Sequence, residues 1–226
     1  MVAAHGSAKW IAANIRQRCV NHRLNMSPSK LNHNTSRPLP NTYWVVPGRL
    51  LAGEYPIGPD YTDARARLAR FRESGVNYFI DLTEEGEVPA YRHLLPLHSK
   101  HQRSAIADTW VPKNPEQMQQ LLWDIRTALS LGRRVYVHCR AGIGRTGLVI
   151  GCYLAEEGGD GKAALKELNR LWHQSERAQS WPTVPQTSAQ ADYIRNWLKL
   201  GKQLQPIAAA PKADSAHKTG SRRPRQ

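Results

Sequence analysis

Val135-Tyr136-Val137-His138-Cys139-Arg140-Ala141-Gly142-Ile143-Gly144-Arg145-Thr146-Gly147 is the stretch on which the reading of this chain turns. Its opening residues are β-branched and aromatic, the composition of a buried strand over Arg134–His138. A glycine-bearing turn follows, and the apolar run from Leu148 to Ala155 then reads as a buried helix over Thr146–Glu157. A loop between a strand and a helix can curl so that its N–H groups converge on one spot, a concave anion site. The helix adds its N-terminal dipole and unpaired amides. Gly142 and Gly144 permit backbone conformations and a close approach that side chains would block. Arg140, Ala141, Gly142, Ile143, Gly144 and Arg145 supply the amides, and the planar fork of Arg145 suits two phosphate oxygens. The same positive field favours thiolate over thiol at Cys139, so one turn both binds a phosphate dianion and arms the nucleophile facing it. His138 is placed to orient the loop through hydrogen bonds, and Thr146 to set a hydroxyl near the sulfur and help it leave.

Outward from this stretch, short strands are expected at Tyr43–Val46, Leu50–Ala52, Val76–Leu82 and Leu94–Leu97. Helices are expected at Thr62–Glu73, capped by Asp60 or Thr62, and at Pro115–Leu131, where Met118, Leu121, Leu122, Ile125 and Leu129 recur at helical spacing. Two more are expected at Lys162–His173 and Ala189–Gln203. Strands alternating with helices predict an α/β fold, a single domain with a central mixed sheet flanked by helices. The composition divides the chain into a flexible basic segment over 1–42, a folded domain over 43–203 and a disordered basic tail over 204–226.

The formal charge of +14 would suggest nucleic acid until it is located. Residues 1–53 hold seven Lys/Arg and no acid, and residues 199–226 hold seven against Asp214 alone. The stretch between carries about +1. The folded part therefore has no charge signature for nucleic acid, while the basic ends can contact acidic partners. No apolar run approaches the roughly 18–20 residues that cross a bilayer. Cys19, Cys139 and Cys152 are spaced neither as a disulfide framework nor as a zinc site, which favours a reducing, cytoplasmic setting. Cys152 reads as a buried structural thiol, and His98 and His101 as solvated side chains without companion metal ligands. No metal and no cofactor are expected. No secretory signal is evident, and Met26 is an alternative start to Met1.

His138-Cys139-Arg140-Ala141-Gly142-Ile143-Gly144-Arg145-Thr146-Gly147 resembles the signature of the cysteine-dependent protein tyrosine phosphatase superfamily, including the dual-specificity phosphatases. The similarity extends over roughly residues 43–200. That resemblance implies an aspartic acid on a mobile loop about thirty residues before the cysteine. Asp108, 31 positions upstream, is the best candidate for this general acid. It also implies a glutamine that positions the hydrolytic water, with Gln190 the better match and Gln186 the alternative. The segment Asp81–Glu87 is similar to bacterial and atypical dual-specificity members, in which a Glu can hold the arginine. Glu84, Glu85 and Glu87 are equal candidates. The implied activity is hydrolysis of phosphotyrosine, and also of phosphoserine or phosphothreonine, in a protein substrate through a phosphocysteine intermediate. The alternatives are a phosphoinositide or other small phosphate-ester phosphatase, and a non-catalytic scaffold for phosphoproteins.

Overall fold

The computed structural model describes residues 36–204 and 207. The flexible segment expected before residue 36 and most of the basic tail lie outside these residues. Five strands, β1 (Thr42–Val46), β2 (Leu50–Gly53), β3 (Tyr78–Asp81), β4 (Lys100–Arg103) and β5 (Val135–His138), form one sheet in the order β1-β2-β5-β3-β4. The β1–β2 pair is antiparallel and the rest are parallel, so the sheet is mixed, with β5 at its centre.

Side chains alternate across the sheet, as a two-residue period requires. Tyr43, Leu50, Tyr78, Ile80, Val135 and Val137 face one core, with α2 (Pro115–Ser130), α3 (Gly144–Gly158), α4 (Gly161–Trp172) and α5 (Ser188–Gly201). Trp44, Leu51, Phe79 and Tyr136 face the other, where α1 (Ala64–Glu73) buries Ala64, Leu68 and Phe71. α3 is buried along most of its length. A Cβ at its Gly151 would lie 2.3 Å from Ile194 Cδ1 of α5, so a larger residue there would have to push the Ile194 side chain aside.

Some expectations change. Order begins before Tyr43: Leu39 and Thr42 are buried. The strand expected at Leu94–Leu97 is instead a 3-10 turn over Arg92–Leu94, and Leu97 is 94% exposed. The strand is β4, whose Lys-His-Gln-Arg sequence pairs at the sheet edge without an apolar alternation to announce it. Asp60 accepts from the Thr62 N–H rather than capping the helix, whose N-cap is Asp63.

The parallel register sets up the site. Gly53 aligns with His138, His138 with Asp81, and Asp81 with Arg103. Four strands therefore end level, and the loops after them gather outside their carboxyl ends, where open α/β sheets place their ligands.

Candidate active site

Cys139 follows β5 directly and is 2% exposed. The loop from it enters α3 at Gly144, two residues earlier than the expected Thr146. Three consecutive loop carbonyls are held from outside. The Cys139 carbonyl faces His138 Nδ1 at 3.3 Å, that of Arg140 accepts from the Tyr55 N–H at 3.0 Å, and that of Ala141 accepts from Arg177 Nη1 at 2.5 Å. In a planar trans peptide the N–H points opposite to the C=O. Fixing these carbonyls outward therefore turns the N–H groups of Arg140, Ala141 and Gly142 inward, and none has a partner among the described residues. Gly142 has φ 79°, and a Cβ there would sit 2.5 Å from the Gly53 carbonyl carbon. Only glycine lets the loop lie against the end of β2 in this way.

His138 is fully buried, and burial pushes its imidazole down to about 4. It is therefore neutral at pH 7. A carbonyl can only accept, so Nδ1 carries the hydrogen and donates to Cys139 O, while Nε2 accepts from the Tyr91 hydroxyl at 2.6 Å. Burial above all, together with Asp81, holds the Tyr91 phenol protonated for this role. Asp81 lies 4.0 Å from His138, but against a neutral ring this is no ion pair. Burial opposes the Asp81 charge, yet hydrogen bonds from His101 and Thr83 keep its carboxyl well below the usual range. Arg103 adds a contact at 3.3 Å. His101 is thus not the solvated residue expected: it sits 3.5 Å from Asp81 and edge-on to Tyr91.

Arg145 is 1% exposed. Its Nη1 and Nη2 each donate to a Glu87 carboxylate oxygen at 2.6 Å, a bidentate pair that chooses Glu87 from the three expected glutamates. Burial works against the guanidinium charge. The Glu87 hydrogen bonds and the charges of Cys139, Glu87 and Asp108 outweigh it, and Arg145 stays protonated. In return the Arg145 hydrogen bonds pull the Glu87 carboxyl below its ordinary range. Nε of Arg145 is buried without an acceptor among the described residues.

Asp108 reaches this group from the loop after β4, with Oδ1 3.2 Å from Arg145 Nη2. Its neighbour Thr109 has φ 66°, an uncommon conformation for a β-branched residue. α5 anchors the loop: Thr187 Oγ1 donates to Thr109 O at 3.4 Å and Gln190 Nε2 to Trp110 O at 3.1 Å. Trp110 itself is 68% exposed.

A cavity of about 140 Å³ brings these groups together, lined by Cys139, Arg140, Ala141, Ile143, Gly144 and Arg145 with Asp108, Trp181 and Gln186. Gln190 is not among them. It is buried in a capping box, where its N–H donates to Thr187 Oγ1 and its Oε1 accepts from the Thr187 N–H. The cavity lining thus includes Gln186, the alternative, and not Gln190. The pattern Thr-x-x-Gln over 187–190 is itself a capping signature and could have reserved Gln190 for the helix. Thr146 is buried, its hydroxyl 3.5 Å from Gly53 O. Trp181, Arg177 and Glu54 had drawn no attention in the sequence. Cys152 is buried in α3, and burial pushes its thiol up, as befits an inert core thiol. Among the described residues no group of three or more His, Cys, Asp or Glu is arranged to hold a metal, and no helix is long and apolar enough to cross a membrane.

Residues 39–201 match the family described as Swiss Army Knife protein, DSP-PTPase phosphatase domain. The protein 067L of Invertebrate iridescent virus 3, whose name marks it as a candidate tyrosine phosphatase, is 37% identical over 94 residues, 39% of this chain and 38% of the viral protein. Two solved structures share the fold. Tk-PTP in its active form superposes with a TM-score of 0.57 at 23% identity, over 73% of this chain and 99% of that one. Kinase associated phosphatase, with its catalytic-site cysteine replaced by serine, gives 0.54 at 19% identity, over 69% and 89% of the two chains.

Proposed function

The chain belongs to the DSP-PTPase phosphatase domain family, and from that membership we propose that it hydrolyses phosphotyrosine in proteins, and phosphoserine or phosphothreonine less readily, through a phosphocysteine on Cys139. The observation that carries this reading is the convergence of Cys139, Arg145, Asp108 and Gln186 on one small cavity.

In the first step the Cys139 thiolate attacks phosphorus in line with the leaving oxygen. The bond to that oxygen breaks, its electron pair stays on the oxygen, and Asp108 supplies the proton. The inward amides and Arg145 hold the equatorial oxygens, where charge is carried in the transition state. In the second step water held by Gln186 attacks phosphorus, Asp108 accepts its proton, and the S–P bond breaks with its electron pair returning to sulfur. Thr146, only weakly engaged by Gly53, turns its hydroxyl to the departing sulfur. The amides and guanidinium supply the charge stabilisation, so this reaction calls for no metal. Trp181 on the cavity wall gives a tyrosyl ring an indole to lie against, which favours an aryl phosphate. A reducing compartment such as the cytoplasm suits the thiol nucleophile, and the basic ends are left for acidic partners.

Initial rates on phosphotyrosine and phosphothreonine peptides and on a phosphoinositide, measured side by side, test the reading. The phosphotyrosine peptide should turn over fastest, vanadate should inhibit and chelators should not. A faster phosphoinositide rate would overturn the substrate, and activity surviving Cys139→Ser would overturn the mechanism.

A further inference from the structure

We propose that Arg177, outside the catalytic cavity, is a positioning residue that sets the direction of the Gly142 N–H and so completes the phosphate-binding amides. The proposal rests on the phosphatase reading of the same loop.

Arg177 lies in a 3-10 turn (Glu176–Gln179) between α4 and α5 and is not part of the cavity lining. Its fork is divided: Nη1 donates to Ala141 O at 2.5 Å and Nη2 to Glu54 Oε2 at 3.0 Å. The turn is fixed in turn, since the Arg177 N–H donates to Asn41 Oδ1 at 3.0 Å. Glu54 is a shared acceptor, taking Asn41 Nδ2 at 2.9 Å and Arg67 Nη2 at 2.8 Å as well. Arg177 is therefore held at its backbone and at one arm of its fork while the other arm grips the loop.

The gripped peptide is the one most able to turn over. Rotation of the Ala141–Gly142 unit changes ψ of Ala141 and φ of Gly142, and glycine accepts either sign of φ at little cost. A flipped unit would aim a carbonyl oxygen, instead of an N–H, at a bound dianion. Among the three outward carbonyls, that of Cys139 meets a neutral imidazole and that of Arg140 a backbone N–H. Only the Ala141 carbonyl is held by a permanently charged donor. A cationic side chain thus secures the peptide that glycine leaves least determined.

Arg177→Met and Arg177→Lys test the proposal, with inorganic phosphate affinity by calorimetry, kcat and KM on an aryl phosphate, and near-UV circular dichroism to establish the folded fraction. Arg177→Met should weaken phosphate binding and lower kcat/KM by roughly 10- to 100-fold, the range of a lost charge-assisted contact. Arg177→Lys, which keeps the charge but loses the two-armed fork, should fall between it and the parent. Arg170→Met, at an exposed arginine on α4, should change neither. A merely structural role would reduce the folded fraction and leave the phosphate affinity of the folded molecules unchanged. Folded Arg177→Met with phosphate affinity within twofold of the parent overturns the proposal. If that variant does not fold, unchanged affinity in Arg177→Lys overturns it. Inactivity of the parent chain would instead count against the phosphatase reading.

Discussion

The phosphate loop and the acid loop meet at one cavity but are built on opposite principles. The first is sealed into the protein: Cys139 and Arg145 are almost without solvent contact, and its carbonyls are gripped by His138, Tyr55 and Arg177. The second projects from the surface. The Asp108 side chain is 56% exposed, its neighbour holds a left-handed backbone, and two contacts to the end of α5 secure it. On the proposed function, the difference follows from what each would do. Amides that stabilise charge act best when fixed in advance, since nothing then has to reorganise during the reaction. A proton donor has to admit the substrate first and engage the leaving oxygen afterwards, which favours a segment of low local stability.

This contrast can be broken most forcefully at Gly142. Gly142→Val places a β-branched side chain at positive φ and against the backbone of Gly53 and Glu54. Displacing a single transition-state donor costs about 10²–10³ in rate, so a loop thrown out of shape should lose at least roughly 10³ in kcat/KM together with phosphate binding. A Gly142→Val protein that still binds phosphate normally would show that the loop is not pre-formed.

Asp108→Asn probes the other half. It should lower kcat by about 10²–10³, the range for general acid–base catalysis, with phosphate affinity kept within about twofold. If phosphate binding fell along with kcat, the two loops would not be the separate devices described.

Acid should act on the fixed half. An imidazole at about 4 in the folded protein and 6.5 when free means the unfolded chain takes up the proton first. Stability from neutral His138 is complete above pH 6.5 and is lost as pH falls through the interval down to about 4, to the extent of about 3 kcal/mol. Asp81 and Glu87, both depressed, add losses of the same sign at still lower pH. Urea unfolding between pH 7 and 4.5 measures the fall, and His138→Gln should flatten it. A flat profile in the parent would contradict the neutral buried ring.

Legibility followed the range of the interactions. The strand–loop–helix unit around Cys139 could be read because its residues are contiguous and their periodicities change at Cys139 and again past Gly144. The long helices were readable from their apolar spacing, as α2 shows with all five of its expected inward residues buried. β4 was hidden because an edge strand of Lys, His, Gln and Arg owes its conformation to the backbone of β3. The partner of Arg145 was hidden among three nearby glutamates, since the sequence does not reveal where the turn after β3 aims each side chain. Gln186 and Gln190 could not be told apart because which of them lines the cavity depends on the capping box that Thr187 forms with Gln190. Arg177 could not have been found at all: its contact with Ala141 spans 36 positions and no motif marks it.

The capping box at Thr187 and Gln190 closes α5 and, with the same two side chains, holds the carbonyls of Thr109 and Trp110. On the proposed mechanism, fraying of that first turn would also release the loop that carries Asp108, the proposed proton donor. Hydrogen exchange at the opening amides of α5 would report, from a place remote from the sulfur, how often the enzyme stands ready to expel its leaving group.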